Sequence, residues 1–133
     1  MTEEQKAFIL ERINTCPFNR AQGFTATIPE EGRAIVEMDV KEQHRNIWGL
    51  PHGGILFALA DVASGLATHS VCAGHTVTAS SNVNFIFANE NATHLKAESK
   101  VIKQGHALAV VQAEVYDNEG NHLLTGQFNM FHS

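Results

Sequence analysis

At 133 residues, with 44% hydrophobic and only 17% charged side chains, the chain has the make-up of one globular domain over residues 1–133, which excludes a disordered segment. A net charge of −5 without a basic patch excludes nucleic acid as a partner. Cys16 and Cys72 form no CxxC pair, and the polar, acidic start from Met1 to Lys6 is no signal peptide, so the expected location is cytoplasmic.

Thr2 with Gln5 reads as a capping box for a short helix running through about Asn14. Phe8, Ile9 and Ile13 give that helix one apolar side suited to lying on a larger core, and Cys16-Pro17-Phe18-Asn19 ends it. From Arg33 the chain alternates, with Ala34, Val36, Met38 and Val40 on one face and Arg33, Glu37 and Asp39 on the other. That is a half-buried strand. The stretch from Asn46 to Gly54 cannot be regular, because Pro51 restrains Leu50 and two glycines follow. Residues 55–72 are then apolar almost without interruption, the pattern of a helix buried all round. Asp61, Ser64, Gly65, Thr68 and His69 within it argue against a membrane span.

After a turn at Ala73-Gly74-His75, strands are predicted at 76–87, 94–103, 107–116 and 123–131. Gln104-Gly105 and the run from Asp117 to Asn121 supply the hairpin connections between the last three. The order is helix, strand, long apolar helix, then four antiparallel strands. Such a sheet has one apolar face, and only the central helix is long and apolar enough to cover it. The fold class is therefore α+β, a curved antiparallel sheet wrapped around one helix. Asp61 breaks the apolar pattern of that helix, where a carboxylate is costly unless it is hydrogen-bonded, shared or used. Gly53 and Gly54 lie where the first N–H groups of the helix have no intrahelical partner. Plainer roles are open to each: Asp61 as a loop cap, Asn46 as turn chemistry, His52 as a structural hydrogen bond, the glycines as close packing. The eight histidines form no HxxxH or HxH pair, so no metal site is expected.

Asn46, then His52-Gly53-Gly54 six positions on, then Asp61 eight positions after Gly53, resembles the hotdog-fold thioesterases, in the branch similar to the phenylacetate-pathway (PaaI-like) enzymes. The resemblance runs from about Pro17 to the C-terminus and takes in Gly105 and the segment from Asp117 to Gly120. It implies a hotdog fold and hydrolysis of an acyl- or aryl-CoA thioester to free acid and CoA, with no cofactor, since CoA is part of the substrate. The Gly53 N–H, at the positive end of the helix, is then suited to polarise the thioester carbonyl. Asp61 is general base toward water, or a nucleophile giving an anhydride. Asn46 offers a donor and an acceptor, and His52 orients the loop. Gly54, Phe57 and Phe85 are candidates for substrate contact, although Phe57, Phe85 and Phe87 serve a core equally well.

The same resemblance implies a homodimer or homotetramer with the site at the subunit interface, Asp61 coming from one subunit and Asn46 and Gly53 from the other. Two departures stand out. No proline follows Phe85-Ile86-Phe87, and His106 replaces the arginine that relatives often carry after the glycine, which puts a phosphate contact there in doubt. Two rival functions share the fold. A hotdog hydratase or dehydratase would use His52 and Asp61 as an acid–base pair, but the Gly-His-Phe-Pro type motif of dehydratases is absent. A non-catalytic acyl-CoA-binding sensor would carry a DNA-binding element, for which the short acidic N-terminus leaves no room.

Overall fold

The computed structural model describes all 133 residues. Helix α1 (Glu3–Thr15) starts at the expected capping box, with Gln5 N–H donating to the Thr2 hydroxyl at 3.0 Å and Thr2 N–H to the Gln5 side chain at 2.8 Å. Ile9 and Ile13 pack on the core as their spacing predicts, but Phe8 is 61% exposed and lies outside it. Two elements escape the sequence patterns. Pro17 opens a second helix, α2 (Pro17–Gln22), because proline at the first helical position forfeits no hydrogen bond. Strand β1 (Thr25–Glu30) follows, short, interrupted by Pro29 and placed at the edge of the sheet, where proline is tolerated.

The remaining elements are β2 (Arg33–Asp39), a 3-10 turn at Glu42–His44, α3 (Gly53–His69), β3 (Thr76–Phe85), β4 (His94–Gln104), β5 (Leu108–Asp117) and β6 (His122–His132). All strands are antiparallel, in the order β1-β2-β4-β5-β6-β3. Strand β3 thus follows α3 in the chain yet sits at the far edge, paired only with β6. Eight of its ten residues are exposed, so its outer rim is open.

The apolar face of the sheet wraps α3. Leu56, Leu59, Ala60, Ala63 and Ala67 share one buried cluster with Val36, Met38, Val111, Val115 and Phe128. Alanines at 60, 63 and 67 keep the helix close to the strands, where larger side chains would hold it away. Ser99 Oγ, from β4, donates to the Ala63 carbonyl at 2.7 Å and ties the two layers together. Leu59 is fully buried, and truncating it to alanine should cost about 2–5 kcal/mol. This is the hotdog arrangement expected from the sequence.

Two expectations fail at α3 itself. It begins at Gly53 rather than Ile55 and stops at His69, short of Cys72. Nor is it buried all round: Gly54, Phe57, Ala58, Asp61, Val62, Gly65 and His69 form a stripe that is half-buried or exposed. One sheet covers one side of a helix. An apolar run reports greasiness, not how many sides have neighbours. No helix is long and apolar enough to cross a membrane.

Candidate active site

The loop before α3 is built on Asn46. Its side-chain oxygen accepts the N–H groups of Trp48 at 2.9 Å and Leu50 at 3.0 Å, while its own N–H donates to the Leu50 carbonyl at 2.8 Å. Gly49 makes the corner with φ +79°, a left-handed conformation that glycine adopts without steric cost. Arg45 pins the loop from below, donating to the carbonyls of Gly49, Glu90 and Ala92. The acceptor of Asn46 is therefore spent on the loop, which corrects the expectation that it offers both a donor and an acceptor. Its amide NH2 alone is left to face the adjoining pocket.

His52 caps α3: its Nδ1 accepts the Gly54 N–H at 2.9 Å, and its carbonyl accepts Ile55 and Leu56. Through Nδ1 the ring fixes the junction of loop and helix. Of the first four N–H groups of the helix, three are now satisfied. That of Gly53 has no acceptor within the chain. It opens into a cavity of about 390 Å³ lined by Asn46, Leu50, Pro51, Leu56 and Phe85, among others. A Cβ built on Gly53 would lie 3.4 Å from the Phe85 ring, so glycine leaves the floor of this cavity open beside an aromatic wall.

Gly54 lies outside that cavity, and a Cβ there would stand 3.1 Å from His52 Nδ1 and crowd the cap. Phe57 is also outside: its ring packs against Phe128, centroids 5.4 Å apart, half-buried beside the core. Among the three substrate-contact candidates, only Phe85 lines the pocket with Gly53 and Asn46.

Asp61 sits on the open stripe of α3, half-buried. The hydroxyl of Thr78 on β3 donates to its Oδ1, and nothing else in the chain donates to the carboxylate. Sequence reasoning missed Thr78. The register of β3 against β6 slips between Thr78 and Ser80, a bulge that a count of alternating residues cannot place. Eight residues separate Gly53 from Asp61, which is about 12 Å along a helix.

A thioesterase-superfamily profile matches residues 49–123, more than half the chain, including Gly53, Asp61, Thr78 and Phe85 but beginning after Asn46. The chain belongs to the thioesterase superfamily. Similar proteins include a Saccharolobus solfataricus protein named only as a candidate esterase, 35% identical over 92 residues, 68% of this chain and 65% of that protein. The chain thus spans just under two thirds of the length of that curated relative. Human acyl-coenzyme A thioesterase 13 is 27% identical over 117 residues, 86% of this chain and 84% of the human one. Among solved structures, the Escherichia coli PaaI protein of the phenylacetic acid degradation operon superposes with a TM-score of 0.86 at 25% identity, covering 98% of this chain and 92% of that one. A Streptococcus mutans protein solved with acetyl-CoA bound gives 0.77 at 27% identity, covering 84% and 89%.

Proposed function

We propose that this protein is an acyl-CoA thioesterase, hydrolysing an acyl- or aryl-CoA thioester to the free acid and CoA in a site shared by two copies of the chain. The observation that carries this reading is the unpaired Gly53 N–H at an apolar pocket, with an acid that keeps a free oxygen eight residues, about 12 Å of helix rise, further along α3. A twofold arrangement brings Gly53 and Asn46 of one chain to Asp61 of the other, so the separation within one chain supports a shared site. The open rim of β3 supports the same assembly, since an edge of unpaired strand groups is a surface for a second chain. A homodimer is the smallest unit that works, and a homotetramer contains two of them.

In this reading the thioester carbonyl oxygen accepts the Gly53 N–H, at the positive end of α3, and the acyl group lies against Phe85 and its neighbours. Asp61 of the partner subunit takes a proton from water through the oxygen that Thr78 leaves free. The hydroxide adds to the carbonyl carbon, and the oxyanion is held by the Gly53 N–H. Collapse breaks the C–S bond, and the departing CoA sulfur takes up the proton. Direct attack by Asp61, giving an anhydride, uses the same positions. CoA enters as part of the substrate, and the free thiols of Cys16 and Cys72 favour a reducing, cytoplasmic setting. A dehydratase would carry the Gly-His-Phe-Pro type motif, which this sequence lacks.

The test is thiol release over a panel of acyl- and aryl-CoAs. Free CoA should appear with at least one member. A dehydratase would leave every thioester intact, and a sensor would bind without turnover; either result overturns the proposal.

A further inference from the structure

The cavity beside Gly53 has no charge of its own. Its 11 lining residues include no lysine, arginine or histidine, and only Asn46 and Asn89 carry polar side chains. Asn89 is fully engaged. Its amide NH2 donates to Asp117 Oδ2 at 2.9 Å and to Glu119 Oε1 at 3.0 Å, and its oxygen accepts the Asn91 N–H at 3.1 Å. Arg45, in the loop before α3, does not line the cavity, and its guanidinium is taken up by the carbonyls of Gly49, Glu90 and Ala92. The Asn46 NH2 is therefore the one side-chain donor left to face a ligand.

The cavity also has a direction. Its wall starts at Phe85, whose ring stands beside Gly53, and continues through Ile86 and Phe87 to Asn89. Beyond Asn89 stand two carboxylates, Asp117 and Glu119, both holding its amide. Asp117 is buried, whereas Glu119 is exposed on the turn between β5 and β6 and keeps its second oxygen. A neutral apolar acyl group fits such a wall. One that ends in a carboxylate gives up water there, gains no cation, and meets like charge at the far end. We infer that the site selects thioesters of neutral, apolar acids and rejects those of dicarboxylic acids, with Glu119 as a specificity-determining charge. This rests on the thioesterase reading above, in which the acyl group lies against Phe85.

Matched thioesters test this: hexanoyl- against adipoyl-CoA, octanoyl- against suberoyl-CoA, and phenylacetyl- against para-carboxyphenylacetyl-CoA. Each pair shares one acyl skeleton and differs in the terminal carboxylate. Within each pair kcat/KM should fall at least about tenfold from the neutral to the anionic member, because an unpaired carboxylate among apolar groups is costly. Glu119→Lys supplies the missing cation. It should raise kcat/KM several-fold for the anionic members, leave the neutral ones unchanged, and lose the gain in high salt. Glu119→Gln keeps an acceptor for Asn89 and removes only the charge, so a smaller gain in the same direction is expected. Equal rates within the pairs would overturn the inference and leave the thioesterase reading standing. Discrimination that neither Glu119 variant alters would overturn it too. No thiol release from any pair would overturn both.

Discussion

Asp117 stands at the end of β5, only 7% exposed, and accepts four hydrogen bonds: from the side chains of Asn89 and Asn121 and from the N–H groups of Glu119 and Asn121. Asp61 stands mid-way along α3, half-buried, and accepts one, from Thr78. A carboxylate has about four lone-pair sites, so Asp117 is saturated while Asp61 keeps room for a water. Burial by itself pushes Asp117 up, but the bonds from Asn89, Asn121 and Glu119 outweigh it and hold the group below the usual carboxylate range. The more deeply buried acid is therefore the structural one. Uncommitted oxygen, rather than burial, separates an acid available for chemistry from an acid that holds a loop.

The sharpest way to break that contrast is to remove Asp61. Asp61→Asn should lower kcat by roughly 10²–10⁴ with thermal stability unchanged, read by steady-state thiol release and a melting curve. Retention of more than about a tenth of native kcat would sink the general-base role, which is expected to contribute at least ~10²-fold.

Refolding a mixture of two inactive variants asks whether the acid acts across subunits. Asn46→Ala is a poor partner, because its side chain also holds the loop. Gly53→Pro is better: proline is accepted at the first helical position and removes the N–H. Mixed with Asp61→Ala, about half the dimers are hybrid and each has one intact site, so about a quarter of native activity should return. No return, with hybrids shown to have formed, would mean that the site is built within one chain.

Asp117→Ala should act on stability instead. Leaving its donors without an acceptor should cost about 1–3 kcal/mol, read by denaturant unfolding. The folded pKa of Asp117 is depressed, so its contribution is present above the unfolded value near ~3.9 and is lost as pH falls through the folded one. The gap between native and variant stability should therefore close in acid.

Thr78→Val keeps the shape and removes the donor to Asp61. A loss of about tenfold in kcat/KM is expected, with Thr78→Ser restoring most of it, since one hydrogen bond to a charged group is worth ~1.4 kcal/mol or more. Equal rates in all three would make Thr78 a bystander.

The smallest effect belongs to His94, on the outer face of the sheet, whose ring nitrogens meet Asp39 at 2.8 Å and Glu37 at 2.9 Å. The hydrogen bonds with Asp39 and then Glu37 raise its pKa against the opposing effect of burial. A raised histidine pKa stabilises the fold below the unfolded value near ~6.5, and the gain disappears as pH rises through the folded one. His94→Gln should lower Tm slightly in mild acid and not at alkaline pH. It is the control for a paired histidine with no part in the site.

The sequence by itself determined the parts of this protein that local chemistry dictates. The Thr2–Gln5 cap, the alternation from Arg33 to Asp39, the apolar helix and the chain distances from Asn46 to His52, Gly53 and Asp61 are set by residues within a few turns of one another. Unpartnered donors at Gly53 and Gly54 were legible too, but only the structure shows that the helix starts at Gly53 and that His52 takes the Gly54 N–H, leaving that of Gly53 free. Tertiary structure decided whatever depends on a distant neighbour. Thr78 reaches Asp61 because β3 crosses to the far edge of the sheet and bulges against β6. Phe85 lines the pocket while Phe57 joins the core, although both are apolar residues at credible positions. Periodicity records which face of an element is apolar. Only packing assigns that face to a core, a pocket or a second chain, because the partners lie tens of residues away.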